Sequence, residues 1–149
     1  MKLKEQDGKT IQFYKTKMVF KTQLQQTNNT HSTILMTHPP LVGPALHLHP
    51  DGPETFFIVE GDYQFNLNGE LIDAVKGDFV YIPQNVPHKY NSGKNGGKIL
   101  VTTPASVENY FLHIAEKLLQ GEVPLEYEFD YAKKNGQLFL ENTGNWGHK

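Results

Sequence analysis

The most informative absence from this sequence is cysteine. None of the 149 residues is a cysteine, which excludes disulfides, thiolate catalysis and zinc sites built on cysteine, and leaves the redox compartment open. Long apolar runs are also missing, and the first residues, MKLKEQDGKTIQFYK, contain no apolar core of a secretory signal. The sequence therefore predicts neither a membrane span nor a signal peptide, and a cytoplasmic location is the resulting expectation.

An excess of charge of one sign is lacking as well. The 14 Lys and Arg nearly balance the 16 Asp and Glu, which gives a net charge of -2. Binding to the phosphates of nucleic acid requires clustered basic residues, which this sequence lacks, so we expect no nucleic-acid partner. Hydrophobic residues make up 38% of the chain and charged residues 20%, which is typical of a soluble globular protein. The length suits one domain over residues 1–149.

Short β-prone segments separated by turn residues run from about residue 9 to residue 103. This pattern predicts an all-β sandwich or barrel. Asn68-Gly69, between two such segments, is a strong hairpin signal because a type I′ turn needs positive φ at both central residues. Asp7-Gly8 is a second candidate for the same turn. The segments FFIV and FVYI are apolar on both faces, which favours strands covered by another layer or by a partner subunit, and so a homodimer.

Aromatic residues on these segments allow two interpretations. They could line a pocket for an aromatic substrate, but the interior of a small barrel is usually filled by such side chains, so we expect barrel core. The five residues in question are Phe56, Phe57, Phe65, Phe79 and Tyr81.

Beyond residue 103 the apolar residues change to helical spacing. A first helix is predicted where Pro104 precedes and Gly121 follows a periodic run, with an apolar stripe that we expect to pack on the outside of the barrel. A second helix is predicted from about residue 124 to residue 134, ended by Asn135-Gly136. The helical segment thus covers about residues 104–135, and the tail from Gln137 onward is expected to be irregular.

Two histidines and a glutamate form the most suggestive grouping, in HLHPDGPETFFIVEG. His47 and His49 lie two residues apart, so in a strand both imidazoles point to one face. The following Pro-Asp-Gly-Pro turn can return Glu54 to the same point, and His88 follows another β-prone run. Three neutral imidazoles and a carboxylate suit one divalent first-row metal, with positions left for water or substrate. Asp51 is an alternative carboxylate ligand, although its place inside the turn favours solvent exposure.

The remaining histidines show no comparable grouping. His38, followed by two prolines, is interpreted as a loop residue that could lie near a barrel mouth. His31, His113 and His148 are interpreted as surface or helix residues. The alternative interpretation of the His and Glu grouping is a hydrogen-bonded polar core that binds no metal. Four buried ionisable groups without an ion would, however, be costly to desolvate.

Two segments resemble the conserved motifs of the cupins. HLHPDGPETFFIVEG is similar to the first cupin motif and GDFVYIPQNVPH to the second. The segment TPASVENYFLHIAEKL is also similar to the helix of single-domain cupins described as quercetin dioxygenase-like. The resemblance implies a double-stranded β-helix, or jelly-roll barrel, whose metal ligands are His47, His49, Glu54 and His88. The motifs depart from the family pattern in that Gly43 lies four rather than five residues before the first His, and Asn85 replaces a Gly. Asn tolerates positive φ, so the second turn can survive.

The resemblance implies a metal-dependent enzyme that acts on a small organic substrate, most simply a dioxygenase. One divalent ion per chain (Fe, Mn, Ni, Cu, Co or Zn) would bind the substrate, and Glu54 would act as the catalytic base. An isomerase or decarboxylase would use the same site without oxygen. A ligand-binding or sensory cupin is the alternative from another class. Tyr90 and Asn91 are expected either to hydrogen-bond to the His88 imidazole or to take part only in strand pairing.

Overall fold

The computed structural model describes residues 1–142 and 145–147. All strand pairs in this part of the chain are antiparallel. The elements are β1 (Lys9–Phe13), β2 (Thr16–Thr22), β3 (His31–His38), β4 (His47–Leu48), β5 (Glu54–Leu67), β6 (Glu70–Ala74), β7 (Phe79–Ile82), β8 (His88–Pro104), α1 (Val107–Gln120), α2 (Leu125–Lys133), β9 (Leu138–Phe139) and a 3-10 turn (Asn145–Gly147).

Two long strands, β5 and β8, organise the sheet. They pair with each other along most of their length, with register shifts around Glu60 and Gly61 that let them bend. β8 also pairs with β3 through its second half and with β4 through its first residue. β5 carries β6 and β7. The short β4 is therefore held beside the start of β8.

The hairpin prediction at Asn68-Gly69 is confirmed. Leu67 pairs with Glu70, and Asn68 and Gly69 have φ of 50° and 94°, as a type I′ turn requires. The prediction at Asp7-Gly8 is wrong. The Asp7 amide instead donates to the Lys4 carbonyl at 3.1 Å, which closes a local turn ahead of β1.

The segment HKYNSGKNGG, which is rich in residues that favour turns, forms the first part of the long strand β8. In the structure it pairs with the second half of β5. Burial alternates along it, with His88, Tyr90 and Ser92 buried and Asn91 exposed. Pairing and burial against β5 override the weak strand propensity of the segment.

The expected barrel-core role of the five aromatic residues is right for two and wrong for three. Phe56 and Phe65 are buried, whereas Phe57, Phe79 and Tyr81 are 42%, 63% and 54% exposed. The reason is the strand period of two, which turns alternate side chains of β5 and β7 outward.

Both predicted helices are present, and α1 ends before Gly121 as expected. No helix among the residues described is long and apolar enough to cross a membrane. The expected outside packing of α1 is incomplete, because Phe111 borders an interior cavity together with Met36 and Tyr90. The expectation of an irregular tail is right for residues 140–142 and wrong for β9, which pairs with β4, and for the 3-10 turn at Asn145–Gly147.

Candidate metal centre

Three elements bring the predicted grouping together. His47 lies in β4 and pairs with His88, the first residue of β8. His49 follows β4 directly, and the Pro-Asp-Gly-Pro turn then leads into Glu54, the first residue of β5. The turn ends β4 after two residues because proline has no N–H to offer a strand ladder. All four side chains thus face one point in the interior.

The four side chains are buried, and each offers a ligand atom within 4.8 Å of the others. Glu54 Oε1 lies 3.0 Å from His88 Nε2 and 3.3 Å from His49 Nε2. The ring centroids of His47 and His88 are 4.3 Å apart. The convergence expected from the spacing of His47, His49, Glu54 and His88 is therefore observed in space.

Backbone carbonyls set the orientation of all three imidazoles. Each Nδ1 lies at hydrogen-bond distance from a carbonyl oxygen, and a carbonyl can only accept, so Nδ1 is the donor. The acceptors for His47, His49 and His88 are the carbonyls of Ala45, Gly136 and Val86, at 2.7, 2.9 and 2.9 Å. In a neutral imidazole this leaves Nε2 with a lone pair directed at the cluster, the form in which histidine binds a metal.

This arrangement fits a cation. With Nδ1 as donor, the bare Nε2 of His88 faces the Glu54 carboxylate oxygen at 3.0 Å, and two acceptors at that distance repel unless a proton or a metal ion lies between them. Nε2 of His49 is also buried and has no hydrogen-bond partner within the described part of the chain. Three imidazole nitrogens and one carboxylate are a donor set that suits divalent first-row ions.

The electrostatics of the cluster keep the carboxylate ionised. Burial alone would raise the pKa of Glu54, but the His49 and His88 imidazoles beside the carboxylate outweigh burial and hold the pKa well below its ordinary value. Burial would lower the pKa of His49, and the Glu54 carboxylate raises it instead. For His47, burial followed by the charges of His88 and His49 holds the pKa well below the usual value. The cluster thus combines a buried anion with one imidazole that resists protonation.

Asp51 is not part of the cluster. Its side chain is exposed, as expected for its place in the turn, and accepts a hydrogen bond from the hydroxyl of Ser106, just ahead of α1. Asp51 therefore connects the turn between β4 and β5 to the start of the helix.

The interpretation of His38 as a loop residue is wrong. It is the last residue of β3 and only 3% exposed. Its Nδ1 lies 2.8 Å from the Tyr63 hydroxyl and its Nε2 lies 3.2 Å from the Tyr90 hydroxyl. The two prolines that follow end the strand but do not expose the imidazole.

The other expectations for single residues have mixed outcomes. His31 and His113 are half-buried at the start of β3 and on α1, outside the cluster, and His148 lies outside the described residues. Of the two readings left open for Tyr90 and Asn91, Asn91 fits strand pairing, since it is exposed and pairs with Gln64. Among the described residues, the Tyr90 hydroxyl lies at hydrogen-bond distance from His38 Nε2 and Met36 Sδ rather than from the His88 ring.

Residues of the C-terminal tail also reach the site, which sequence reasoning missed. A cavity of about 10 Å³ lies beside the cluster, and its lining includes His47, Glu54, Tyr90, Phe111, Gln137 and Trp146. One signal in the sequence could have indicated this. Trp146 is the only tryptophan of the chain and lies in a segment without periodicity, and a large aromatic residue is seldom left in solvent.

Comparison with known proteins agrees with this architecture. Residues 34–103 match the family model of the cupin domain. An uncharacterized protein of Methanocaldococcus jannaschii is 41% identical over 56 residues, which are 37% of this chain and 45% of that protein. Quercetin 2,3-dioxygenase of Bacillus subtilis is 28% identical over 94 residues, which are 60% of this chain and 28% of that enzyme. The chain thus spans less than half the length of these two relatives.

A solved structure of an RmlC-like cupin from Shewanella frigidimarina has the same fold. It matches with a TM-score of 0.62 at 16% identity and covers 72% of this chain and 93% of its own. The expected jelly-roll fold class is therefore confirmed, as a mostly β cupin fold with two C-terminal helices. Residues 34–103 of the chain thus match the cupin domain, and the fold of the chain agrees with that match.

Proposed function

We propose that this protein is a metal-dependent cupin enzyme that acts on a small organic substrate. One divalent first-row ion would be held by His47, His49, Glu54 and His88. The observation that carries the proposal is the bare Nε2 of His88 opposite the ionised Glu54 carboxylate, in a buried cluster whose imidazoles are oriented by backbone carbonyls. A bound cation would turn this repulsive arrangement into an attractive one.

The chain's own residues divide the chemistry between them. When bound, such an ion supplies a Lewis acid that lowers the pKa of an oxygen-bearing substrate. Glu54, kept ionised by His49 and His88, would accept the proton that the substrate loses. The carbonyl contacts of the three imidazoles keep the ligand set in one geometry while this happens. Phe111, whose side chain borders the cavity, would keep bulk water away from the reacting group.

Dioxygenase chemistry is the reaction class that we propose. It is supported by the similarity of 60% of the chain to quercetin 2,3-dioxygenase of Bacillus subtilis. The substrate would differ in size, because the cavity beside the cluster, about 10 Å³, has room for about one water molecule. A ligand larger than a few atoms would require the tail around Gln137 and Trp146 to shift.

Elemental analysis of the purified protein tests the metal site. We expect about one first-row ion per chain, lost in a His49→Ala variant and retained in His113→Ala, which removes an imidazole outside the cluster. Protein that remains metal-free after supplementation would contradict the proposal. Oxygen uptake with small carboxylic acids and diketones would then test the reaction class. Turnover without oxygen would indicate an isomerase or decarboxylase, and binding without turnover would indicate a ligand-binding cupin.

We further propose that the protein forms a homodimer through the outer face of β5 and β7. Phe57 pairs with Phe79 across these strands, and Tyr81 lies on the same face, all three at least 42% exposed. Leu100 on β8 is the next neighbour of Phe57 in the same row and is half-buried. Adjacent exposed aromatic residues of this kind are typical of protein interfaces.

A further inference from the structure

Two buried N–H groups, on residues that line the cavity beside the cluster, have no hydrogen-bond partner among the described residues. They are Nε2 of Gln137 and Nε1 of Trp146. Both residues are 2% exposed, so solvent does not satisfy these donors. Leaving a buried donor unpaired loses the hydrogen bond that the donor made to water in the unfolded chain, and folded proteins do so rarely. Two such donors at one cavity, next to a cluster that fits a cation, indicate a binding partner that is itself an acceptor.

Trp146 is held in an unusual conformation to reach this position. Its backbone has φ of 53° and ψ of 28°, the left-handed region that a bulky residue seldom adopts. The backbone N–H donates to the Gly43 carbonyl at 2.8 Å, and the indole ring stacks on His38 with centroids 5.8 Å apart. Strained residues of this kind persist where the surrounding structure fixes them, and they concentrate at functional sites.

Gly43 is required for this anchor. A Cβ built on Gly43 would lie 1.7 Å from the Tyr90 carbonyl oxygen, so no larger residue fits while β8 keeps its course. The chain at Gly43 therefore runs close against β8 and presents its carbonyl to Trp146. Gly43, four residues before the first histidine, thus helps to hold Trp146 in place.

Gln137 is positioned by the metal-site scaffold itself. Its backbone N–H donates to the Ala132 carbonyl at 3.0 Å. The preceding residue, Gly136, accepts the hydrogen bond from His49 Nδ1 at 2.9 Å. The same backbone segment therefore orients one candidate ligand and carries the Gln137 amide to the cavity.

We infer that Gln137 and Trp146 are substrate-binding residues, whose N–H groups donate to a negatively charged oxygen of the substrate bound at the cluster. The inference rests on the proposed metal site. A divalent ion beside one carboxylate leaves a net positive charge, and the indole N–H can only donate. The combination favours a carboxylate or enolate oxygen and disfavours an ammonium group, which has no acceptor to offer.

Binding of formate to the Co²⁺-loaded protein tests this inference. Formate is the smallest carboxylate, and the visible absorption of Co²⁺ reports both loading and a change of ligands. We expect Gln137→Met and Trp146→Phe each to raise the dissociation constant of formate about tenfold or more, because each removes a donor to a charged group. Gln137→Glu, which places a negative charge at the same size, should weaken binding further. Tyr81→Phe, a change on the outer face, should bind formate like the wild type.

The outcomes separate the two proposals. If the wild type takes up no Co²⁺, the metal site fails and the inference falls with it. If Co²⁺ is bound but formate does not bind, or binds equally to wild type and to the Gln137 and Trp146 variants, the inference is overturned and the metal site stands. Co²⁺ content should be unchanged in Gln137→Met and Trp146→Phe, since both leave His47, His49, Glu54 and His88 in place. If Trp146→Phe does not fold, as judged by circular dichroism, the two Gln137 variants decide the question.

Discussion

Replacing His38 with Phe should reduce the sensitivity of this protein to acid. His38 lies at the end of β3 between the hydroxyls of Tyr63 and Tyr90, and burial lowers its pKa from 6.5 to about 3. Phe at this position keeps a ring against Trp146 but cannot take up a proton. The variant therefore removes one titrating group from the native state and from the unfolded chain alike.

The sign of the effect follows from proton linkage. The native pKa of His38 lies below the unfolded value, so the unfolded chain binds the proton more readily and acid favours unfolding. The stabilising contribution is complete above pH 6.5 and is lost as the pH falls toward 3. At about 1.4 kcal/mol per pH unit, roughly 3 kcal/mol is lost between pH 7 and pH 4.

Urea unfolding of the metal-free protein at a series of pH values measures this difference. At pH 7 His38→Phe should be less stable than wild type, because two buried tyrosine hydroxyls lose a partner at about 1–3 kcal/mol each. Toward pH 4 the difference in free energy of unfolding between His38→Phe and the wild type should narrow by about 3 kcal/mol. Protonation of His47 also destabilises the protein in acid, but it does so equally in the variant and the wild type and therefore cancels from their difference. Tyr63→Phe, which keeps the imidazole, serves as the control whose gap to wild type should stay nearly constant. A gap for His38→Phe that does not change with pH would refute the reasoning.

Three further predictions concern the metal, a turn and the outer face. A metal ion at a free concentration of about 100 times its dissociation constant should raise the free energy of unfolding by about 2.7 kcal/mol and the thermal midpoint by roughly 5–10 °C. We expect no such shift in His88→Ala, and an equal shift in that variant would show that the ion binds elsewhere. Asn85 has φ of 66°, so Asn85→Ala should lower the free energy of unfolding, measured in denaturant, by about 1 kcal/mol, while Asn85→Gly should change it little or not at all. Equal losses in the two variants would contradict the argument from backbone conformation. Phe79→Lys should convert a dimer to a monomer in light scattering, and a monomeric wild type would exclude the proposed interface.

Local patterns in the sequence grouped His47, His49 and Glu54 and predicted much of the fold, and the resemblance to the second cupin motif added His88. The spacing of His47 and His49, with a tight turn before Glu54, follows from the strand period of two and from the chain reversal that Pro and Gly allow. The turn at Asn68-Gly69 and the end of α1 at Gly121 depend on backbone preferences of one or two residues. Asn85 takes the positive φ that its substitution for Gly predicted. Each of these features depends on interactions between residues that are close in sequence.

Other features were decided only by tertiary structure, because they depend on partners far away in the chain. His38 is buried because β5 and β8 bring Tyr63 and Tyr90 to its ring. Phe57 and Phe79 are exposed because the opposite face of the sheet meets the core. A segment that is apolar on both faces does not indicate which face that will be. Gln137 and Trp146 reach the cavity because β9 pairs with β4 across about ninety residues of chain. Local propensity carries no information about such contacts, whereas burial in the folded protein makes each of them favourable.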